Sequence, residues 1–502
     1  MLLKTTLLNC PDIEFQKIAK QFISKEFNEI AISNIFDDSR KVVAGSCFVA
    51  IKGALFDGHS AIKEVIGKKV SVIFLESLLS TKIYKQDGVL CIPVSDTRKL
   101  LSNLAYAFHK NKLQNIKSVG ITGTNGKTSI SYLLEFLLRQ QKEVPGVMGT
   151  VNHHINKKVW PTALTSPSVL NLYQRLADFN QEKMTTLILE VSSHGLSQHR
   201  LIVFPFQAVV FTNLTQDHLD YHESMANYFA EKQKLFLKAR ELMQTPCSAI
   251  INIDDSYGKK LQVALHLKRW TYGQDSSADF SFKVIKENLE GMTISLKFQK
   301  KIYVFTTALI GLHNAYNIVA SVVVAYDFGY DIQSLAKSLS LFKGIPGRLQ
   351  KVENTCKLSI FVDYAHTPNA ISSVLLSVKP LAKRVGIVFG CGGDRDKLKR
   401  PLMLQEALKI AHFIVLTSDN PREEKPESII KDILNGTKVS DYPDKLFVIC
   451  NRKEAIQFAL TLQGKDDVLI IAGKGHEQEQ IVKNKTFFWN DYTEVQRLLK
   501  NG

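Results

Sequence analysis

The sequence predicts an α/β chain of three domains: a small N-terminal α/β domain over residues 1–98, a central parallel-sheet domain carrying a phosphate loop over 99–345, and a doubly wound, Rossmann-like domain over 346–502. Three observations lead there. The stretch Val119-Gly120-Ile121-Thr122-Gly123-Thr124-Asn125-Gly126-Lys127-Thr128-Ser129 reads as a strand running through a glycine turn into a helix. Around it, β-branched apolar runs, each ending in a polar loop, recur at helix-length spacing, which is the pattern of a buried parallel sheet. From about residue 346 the alternation starts again, and 502 residues are too many for one core.

In chain order, residues 46–51 and 70–75 are strand-like, Asp57-Gly58 marks a turn, and a polar loop at 37–40 closes another short strand. A helix is expected over 99–112. In the loop that follows, glycines let backbone N–H groups approach phosphate oxygens and the helix N-terminus adds positive potential. Lys127 can reach the outer phosphates, and the Thr128 hydroxyl can hold Mg²⁺. The general motif asks for glycine at position 121, where this chain has Ile121 between Gly120 and Gly123. An ordinary glycine turn is the competing reading, and Gly-Lys-Thr at a strand-to-helix junction argues against it.

Residues 186–189 open into Glu190-Val191-Ser192-Ser193-His194-Gly195. Residues 208–211 open into Thr212-Asn213-Leu214-Thr215-Gln216-Asp217-His218-Leu219-Asp220-Tyr221-His222, and 249–253 into Asp254-Asp255. Ligands of parallel sheets lie beyond the carboxyl ends of the strands, so Glu190 and His218 fall beside the phosphate loop as candidate metal ligands, with Asp217, Asp220 and His222 bracing them. Taken singly, a His or Asp in such a loop is more often a cap. Further on, four runs open into Asp363-Tyr364-Ala365-His366-Thr367-Pro368, Gly390-Cys391-Gly392-Gly393-Asp394-Arg395-Asp396, Thr417-Ser418-Asp419-Asn420-Pro421-Arg422 and Ala472-Gly473-Lys474-Gly475-His476-Glu477, giving a second binding edge.

Composition narrows the setting. With 64 Lys and Arg against 48 Asp and Glu the net charge is +16, which suits nucleic acid, an acidic membrane surface or a polyanionic small substrate. The basic residues are dispersed, without zinc-finger spacing or an aromatic RNA-binding signature, so no nucleic-acid partner is expected. Seven scattered cysteines lack any CxxC pair and are expected to be buried thiols. No run approaches the roughly 18 apolar residues of a membrane span, and a cytoplasmic monomer is expected.

The motifs quoted above, with Pro346-Gly347-Arg348, resemble the Mur ligases of peptidoglycan synthesis, and the match runs from about Ser39 into the C-terminal region. The resemblance implies an ATP-dependent amide ligase. A substrate carboxylate takes the γ-phosphate of ATP to become an acyl phosphate, and an amine then displaces phosphate. Within the family the motifs are similar to those of members that add the third residue to UDP-N-acetylmuramoyl-L-alanyl-D-glutamate. The Asp-Asn-Pro-Arg loop resembles the form that goes with meso-2,6-diaminopimelate; Arg422 would pair with that amine's second carboxylate, which lysine lacks. Position by position, the resemblance implies ATP contacts at Gly123, Thr124, Asn125, Gly126, Lys127, Thr128, Ser129, Asn314, Asn317, Arg348 and Asp363. It implies Mg²⁺ ligands at Thr128, Glu190 and His218, and at Lys232 carbamylated on its side-chain nitrogen, with Lys234 the neighbour to be told apart. Catalysis would rest on Lys127, Lys232, Glu190 and His218. The UDP-linked substrate would meet Ser39, Thr165, Ser166, Ser192, Gln198 and Arg200, with the first domain as its binding domain. Diaminopimelate would meet Arg395, Asp419, Asn420, Pro421, Arg422, Gly473 and Glu477 in the last. A folylpolyglutamate-synthetase-like ligase, a lysine-adding ligase and a nucleic-acid-dependent NTPase are the alternatives.

Overall fold

The computed structural model describes residues 1–21, 28–53, 56–77, 82–113, 115–238, 247–265 and 267–501. The chain forms two compact units, one of Met1–Ala278 with Val323–Gly329 and one of Asp279–Val322 with Tyr330–Gly502.

The first unit begins with a five-stranded sheet in the order Ile35–Phe36, Cys47–Val49, Val72–Glu76, Val89–Val94, Tyr84–Gln86, parallel except for the last strand. Asp96 caps the next helix, Thr97–His109, by accepting from the Lys99 N–H. That helix ends close to where sequence reasoning places it.

Beyond it, strand Lys117–Thr122 lies between Thr186–Glu190 and Ala208–Phe211, parallel to both. Pro145–Met148 continues the parallel set on one side, and Ser248–Asn252 and Lys268–Gly273 on the other. The inner strands are buried from end to end, as in a sheet covered on both faces: every residue of Thr186–Glu190 and Ala208–Phe211 is buried. The strand order reverses at Lys117–Thr122, so the loops after residues 122, 190 and 211 emerge at one sheet edge.

The expectation of a purely parallel central sheet needs correction. An antiparallel hairpin, His153–Ile155 and Lys158–Trp160, is added beyond Pro145–Met148. In the second unit, Phe280–Asn288, Gly291–Phe298 and Lys301–Thr307 form an antiparallel meander. Its strands bury one face only: Phe282, Ile294 and Leu296 are buried while Ile285, Ile302 and Val304 are exposed. One-sided burial needs no crossover helix, so short turns suffice.

The remainder of the second unit is a six-stranded sheet ordered Gln350–Lys351, Ser359–Asp363, Val468–Ala472, Val385–Phe389, Phe413–Leu416, Leu446–Val448, parallel apart from the first strand. Apolar clusters fill both of its faces. This is the expected doubly wound arrangement, and its four central strands present their carboxyl ends on one side. Cys10, Cys47, Cys91, Cys247 and Cys391 are buried as expected, but Cys450 is partly exposed and Cys356 exposed, and all seven are free.

Candidate active site

The phosphate loop is built by close backbone packing at Gly123. With φ at +145°, this residue sits where a Cβ would come within 1.8 Å of Thr212 Oγ1. Thr212 Oγ1 donates instead to the Asn125 carbonyl at 2.6 Å, and the Asn125 N–H donates to Asn213 Oδ1 at 3.0 Å, so the loop after Phe211 holds the phosphate loop in shape. Gly126, at φ +89°, caps the helix Lys127–Gln140. Gly123, Thr124, Asn125, Gly126, Lys127, Thr128 and Ser129 thus form one strand-to-helix turn, with Thr128 and Ser129 buried in the helix's first turn.

Glu190, 1% exposed, is the most constrained anion here. Its carboxylate accepts from Thr128 Oγ1 at 3.1 Å, Thr150 Oγ1 at 2.7 Å and Ser131 Oγ at 3.5 Å. Gly149 makes room for it, since a Cβ there would lie 2.2 Å from Glu190 Oε1. These three partners are neutral hydroxyls, and a buried carboxylate so partnered fits a cation brought by the ligand. Thr128 Oγ1 and Glu190 would hold Mg²⁺, a hard ion that takes most of its oxygens from phosphates and water. Among the described residues, no three His, Cys, Asp or Glu side chains gather into a self-sufficient metal centre.

His218 stands apart from this pair. It has φ +53°, its backbone N–H donates to Asp217 Oδ1, Asp217 Oδ2 lies 3.5 Å from its Nε2, and its ring meets the His194 ring edge-on at 4.8 Å. Desolvation depresses its pKa against the opposing pull of Asp217, and His194, Lys127 and Lys232 depress it further, favouring the neutral imidazole that can ligate a metal. His222 donates to or accepts from Ser193 Oγ at 2.9 Å and stacks on Tyr228, so it supports the wall rather than joining Glu190.

Lys232 and Lys234 separate clearly. Lys234 is partly exposed and pairs with Glu231 at 2.6 Å. Lys232 is 1% exposed, donates to the Gly123 carbonyl at 3.0 Å and lies 4.7 Å from the centre of the Tyr228 ring. Lys127 donates to the same carbonyl at 2.9 Å. Burial, reinforced by the Lys127 ammonium, holds the Lys232 pKa well below the ordinary lysine value, which favours the free amine that carbon dioxide can modify.

Alongside, Ser166 Oγ donates to the Glu190 carbonyl at 2.8 Å and accepts from the Ser192 N–H at 2.8 Å. Thr165 shares a 3.0 Å hydrogen bond with Thr150. Arg200 donates to the Ser166 carbonyl at 2.9 Å and to Gln198 Oε1 at 2.5 Å. These five expected substrate residues therefore form one ridge beside Glu190. Ser39 lies in a separate turn of the first sheet domain, where Lys68 Nζ donates to its carbonyl. Thr150 and Ser131 were missed by sequence reasoning; the Gly149-Thr150 pair directly after a strand was the available signal.

In the second unit, Asn314 and Asn317 are buried on the helix that starts at Leu312, 3.3 Å apart through Asn317 Nδ2 and Asn314 Oδ1. Asp363 accepts from the Leu349 N–H at 2.7 Å and the Ala365 N–H at 2.8 Å, tying the Arg348 turn to the strand end. The Arg348 guanidinium lies 4.8 Å from the Tyr364 ring centre.

The strand-end loops at 390–396, 417–422 and 472–477 meet one another closely. Arg422, at φ +51°, donates through Nη1 to the Gly393 carbonyl at 2.7 Å, and its backbone is held by Ile481 and Lys483. Arg395 is exposed, and a Cβ on Gly392 would sit 2.9 Å from Arg422 Nη1 and 3.7 Å from Arg395 Cγ, so both arginines flank that glycine. Asn420 Nδ2 donates to Glu477 Oε2 at 2.8 Å. Gly473, at φ +107°, leaves space for Asp419 Oδ2, which would lie 2.6 Å from an added Cβ. Buried Pro421 completes the loop.

Known proteins resemble this chain over nearly its whole length. The Mur ligase family, catalytic domain matches residues 31–109, the Mur ligase middle domain 121–325, and the Mur ligase, glutamate ligase domain 347–475. UDP-N-acetylmuramoyl-L-alanyl-D-glutamate–2,6-diaminopimelate ligase of Caldanaerobacter subterraneus is 38% identical over 94% of this chain and 95% of its own. The protein of the same name from Aquifex aeolicus is 37% identical over 93% and 94%. A solved structure of a UDP-N-acetylmuramoyl-L-alanyl-D-glutamate–2,6-diaminopimelate ligase superposes with a TM-score of 0.70 at 31% identity, covering 97% of this chain and 99% of that one. MurF ligase from Thermotoga maritima in complex with ADP shares the fold at 18% identity, with a TM-score of 0.61 over 94% of this chain and 98% of its own.

Proposed function

The chain belongs to the Mur ligase family, and from that premise we propose how its residues divide the work of an ATP-dependent amide ligase. It joins 2,6-diaminopimelate to the D-glutamate of UDP-N-acetylmuramoyl-L-alanyl-D-glutamate, a step of peptidoglycan precursor synthesis. The observation that carries the reading is the near-full-length identity with ligases of that name, joined to a phosphate loop whose Thr128 is hydrogen-bonded to buried Glu190.

In our reading, residues 1–98 and the ridge Thr165, Ser166, Ser192, Gln198 and Arg200 receive the UDP-linked peptide. Residues 99–345 bind ATP, and 346–502 bind the amine. Backbone N–H groups of residues 123–129 and the ammonium of Lys127 cradle the triphosphate, with Asn314, Asn317, Arg348 and Asp363 as further nucleotide contacts. Two Mg²⁺ ions, one held by Thr128 and Glu190 and the second with His218 as a ligand, the Lys232 carbamate being a further metal ligand, would reduce the repulsion between a carboxylate and a triphosphate. Arg200 faces the acidic substrate with a forked cation, and Arg422 and Arg395 discriminate an amine that carries a second carboxylate, because lysine would leave a guanidinium without its anion. The meso form of the diamine, a cytoplasmic setting and action as a monomer belong to the same proposal.

The test is phosphate release by the purified chain with ATP and the UDP-dipeptide, comparing meso-diaminopimelate, lysine and no amine. Release only with diaminopimelate supports the reading. Release without an amine, or release stimulated by polynucleotide, would overturn it.

A further inference from the structure

Lys474 is fully buried, yet it lies in the loop that also carries Glu477. Its Nζ donates to Asn420 Oδ1 at 2.9 Å and to Glu477 Oε2 at 3.0 Å. Asn420 Oδ1 also accepts from the Ile481 N–H at 3.0 Å. Two donors on Oδ1 fix which way the amide faces, so Nδ2 must point to Glu477, where it donates at 2.8 Å. Both donors reaching the Glu477 carboxylate converge on Oε2. Oε1, on a side chain 27% exposed, accepts from none of the described residues.

We propose that Lys474 is a positioning residue for the amine substrate: its buried ammonium locks Asn420 and Glu477 into one edge, occupying Glu477 Oε2 so that Oε1 is presented to an ammonium group of the incoming amino acid. The inference rests on the ligase reading above and names how the amine site is set.

Charge arrangement supports the same division. Burial raises the Glu477 pKa, neighbouring Asp419 raises it too, and Lys474 and the Asn420 amide oppose them. Tyr364 and the buried Arg452 are the other titratable groups whose charges couple to Glu477. Of the groups opposing Glu477's protonation, Lys474 is the cation in direct contact. A protonated Glu477 loses the charge that draws an ammonium, so the site works above the Glu477 pKa and fails below it. Without Lys474 that limit moves to higher pH.

The experiment uses the full chain with Lys474→Met, Lys474→Arg, Glu477→Gln and the double variant Lys474→Met/Glu477→Gln. Steady-state phosphate release is measured against each of three substrates, and melting curves with and without ATP check folding. Loss of a charge-assisted contact predicts a KM for diaminopimelate raised roughly ten- to a hundredfold in Lys474→Met, with KM for ATP and the UDP-dipeptide changed by less than about threefold. The acid limb of kcat/KM for diaminopimelate should shift to higher pH, and Lys474→Arg, which keeps the charge, should restore the limb. The double variant should be little worse than Glu477→Gln alone, because Lys474 acts through Glu477. Equal KM increases for all three substrates, an unmoved acid limb, or additive losses in the double variant would overturn the proposal. If Lys474→Met does not fold, the limb position in Lys474→Arg and the KM split in Glu477→Gln decide the matter. Wild-type protein that ignores diaminopimelate would sink the ligase reading itself, a distinct outcome.

Discussion

Replacing Glu190 by Gln separates a chemical role from a structural one. The glutamate is 1% exposed and takes hydrogen bonds from Thr128, Thr150 and Ser131. Glutamine keeps the volume and one carbonyl oxygen, and the two shortest bonds, both to Oε2, can be kept by orienting that oxygen toward Thr128 and Thr150. Each becomes a neutral hydrogen bond, weaker by roughly 1 kcal/mol than its charged counterpart, while the cost of burying an unpaired charge disappears. These changes oppose each other, so Tm should move by no more than about 4 °C. In the proposed role, the reaction would lose a fixed negative charge beside the triphosphate, and removal of one such preorganised group costs roughly 10²–10³ in kcat. Phosphate release at a series of Mg²⁺ concentrations, beside a thermal melt, reads both quantities. A Glu190→Gln protein with normal melting and kcat within threefold of the parent at every Mg²⁺ concentration would refute the assignment.

Other outcomes follow from the same geometry. Arg422→Ala should raise KM for diaminopimelate roughly ten- to a hundredfold and leave ATP affinity near the parent value, as measured by nucleotide titration; equal losses for both ligands would refute its role. Lys232→Ala should abolish turnover without rescue by bicarbonate, whereas Lys234→Ala, which removes a partly exposed pair with Glu231, should stay within a few-fold of the parent. Stability should also fall on acidification in a defined window. Burial holds His109, His153, His313 and His476 at about 4 against an ordinary 6.5, so between those values the unfolded chain binds more protons than the folded one. Unfolding free energy from urea titrations should therefore decrease steadily from about pH 6.5 toward 4; a flat profile would show that these imidazoles are not held neutral.

The parallel strands were legible because burial on both faces leaves continuous apolar runs such as Ala208–Phe211, and polar residues just beyond them mark the strand ends. The same rule made Glu190 and the Asp419–Arg422 loop readable, since each lies at the carboxyl end of a parallel strand of its own sheet. Burial on one face hid the meander over residues 280–307: exposed Ile285, Ile302 and Val304 sit among its charged residues, and no strand-end motif follows. Ser131 and Tyr228 carried no pattern, because their contacts are set by packing, and Thr150 carried only its place after Gly149 at a strand end. Lys474 was visible within Gly-Lys-Gly-His-Glu, but nothing in the string says that its amine is buried and turned toward Asn420.

The strand-end loops at 390–396, 417–422 and 472–477 owe their order to charges that lie behind them. Arg400, 0% exposed, forks to Glu424 and Asp432 and also donates to the Gly392 carbonyl; Glu424 in turn accepts from the Asp394 N–H. Arg452, 2% exposed, pairs with Asp491 at 2.6 Å and reaches the Ala472 carbonyl at 2.9 Å and the Ser418 carbonyl at 3.4 Å. Carbonyls at strand ends have left the ladder, and buried ones need donors from elsewhere. A guanidinium supplies several in a fixed fork, which an apolar residue of the same volume cannot. Buried ion pairs add little net stability against a well-packed apolar core, so their use here is to specify loop geometry. That specification lets Arg395, Asn420, Arg422 and Glu477 stand on loops and still hold the fixed spacing that the proposed recognition of a doubly acidic amine would require.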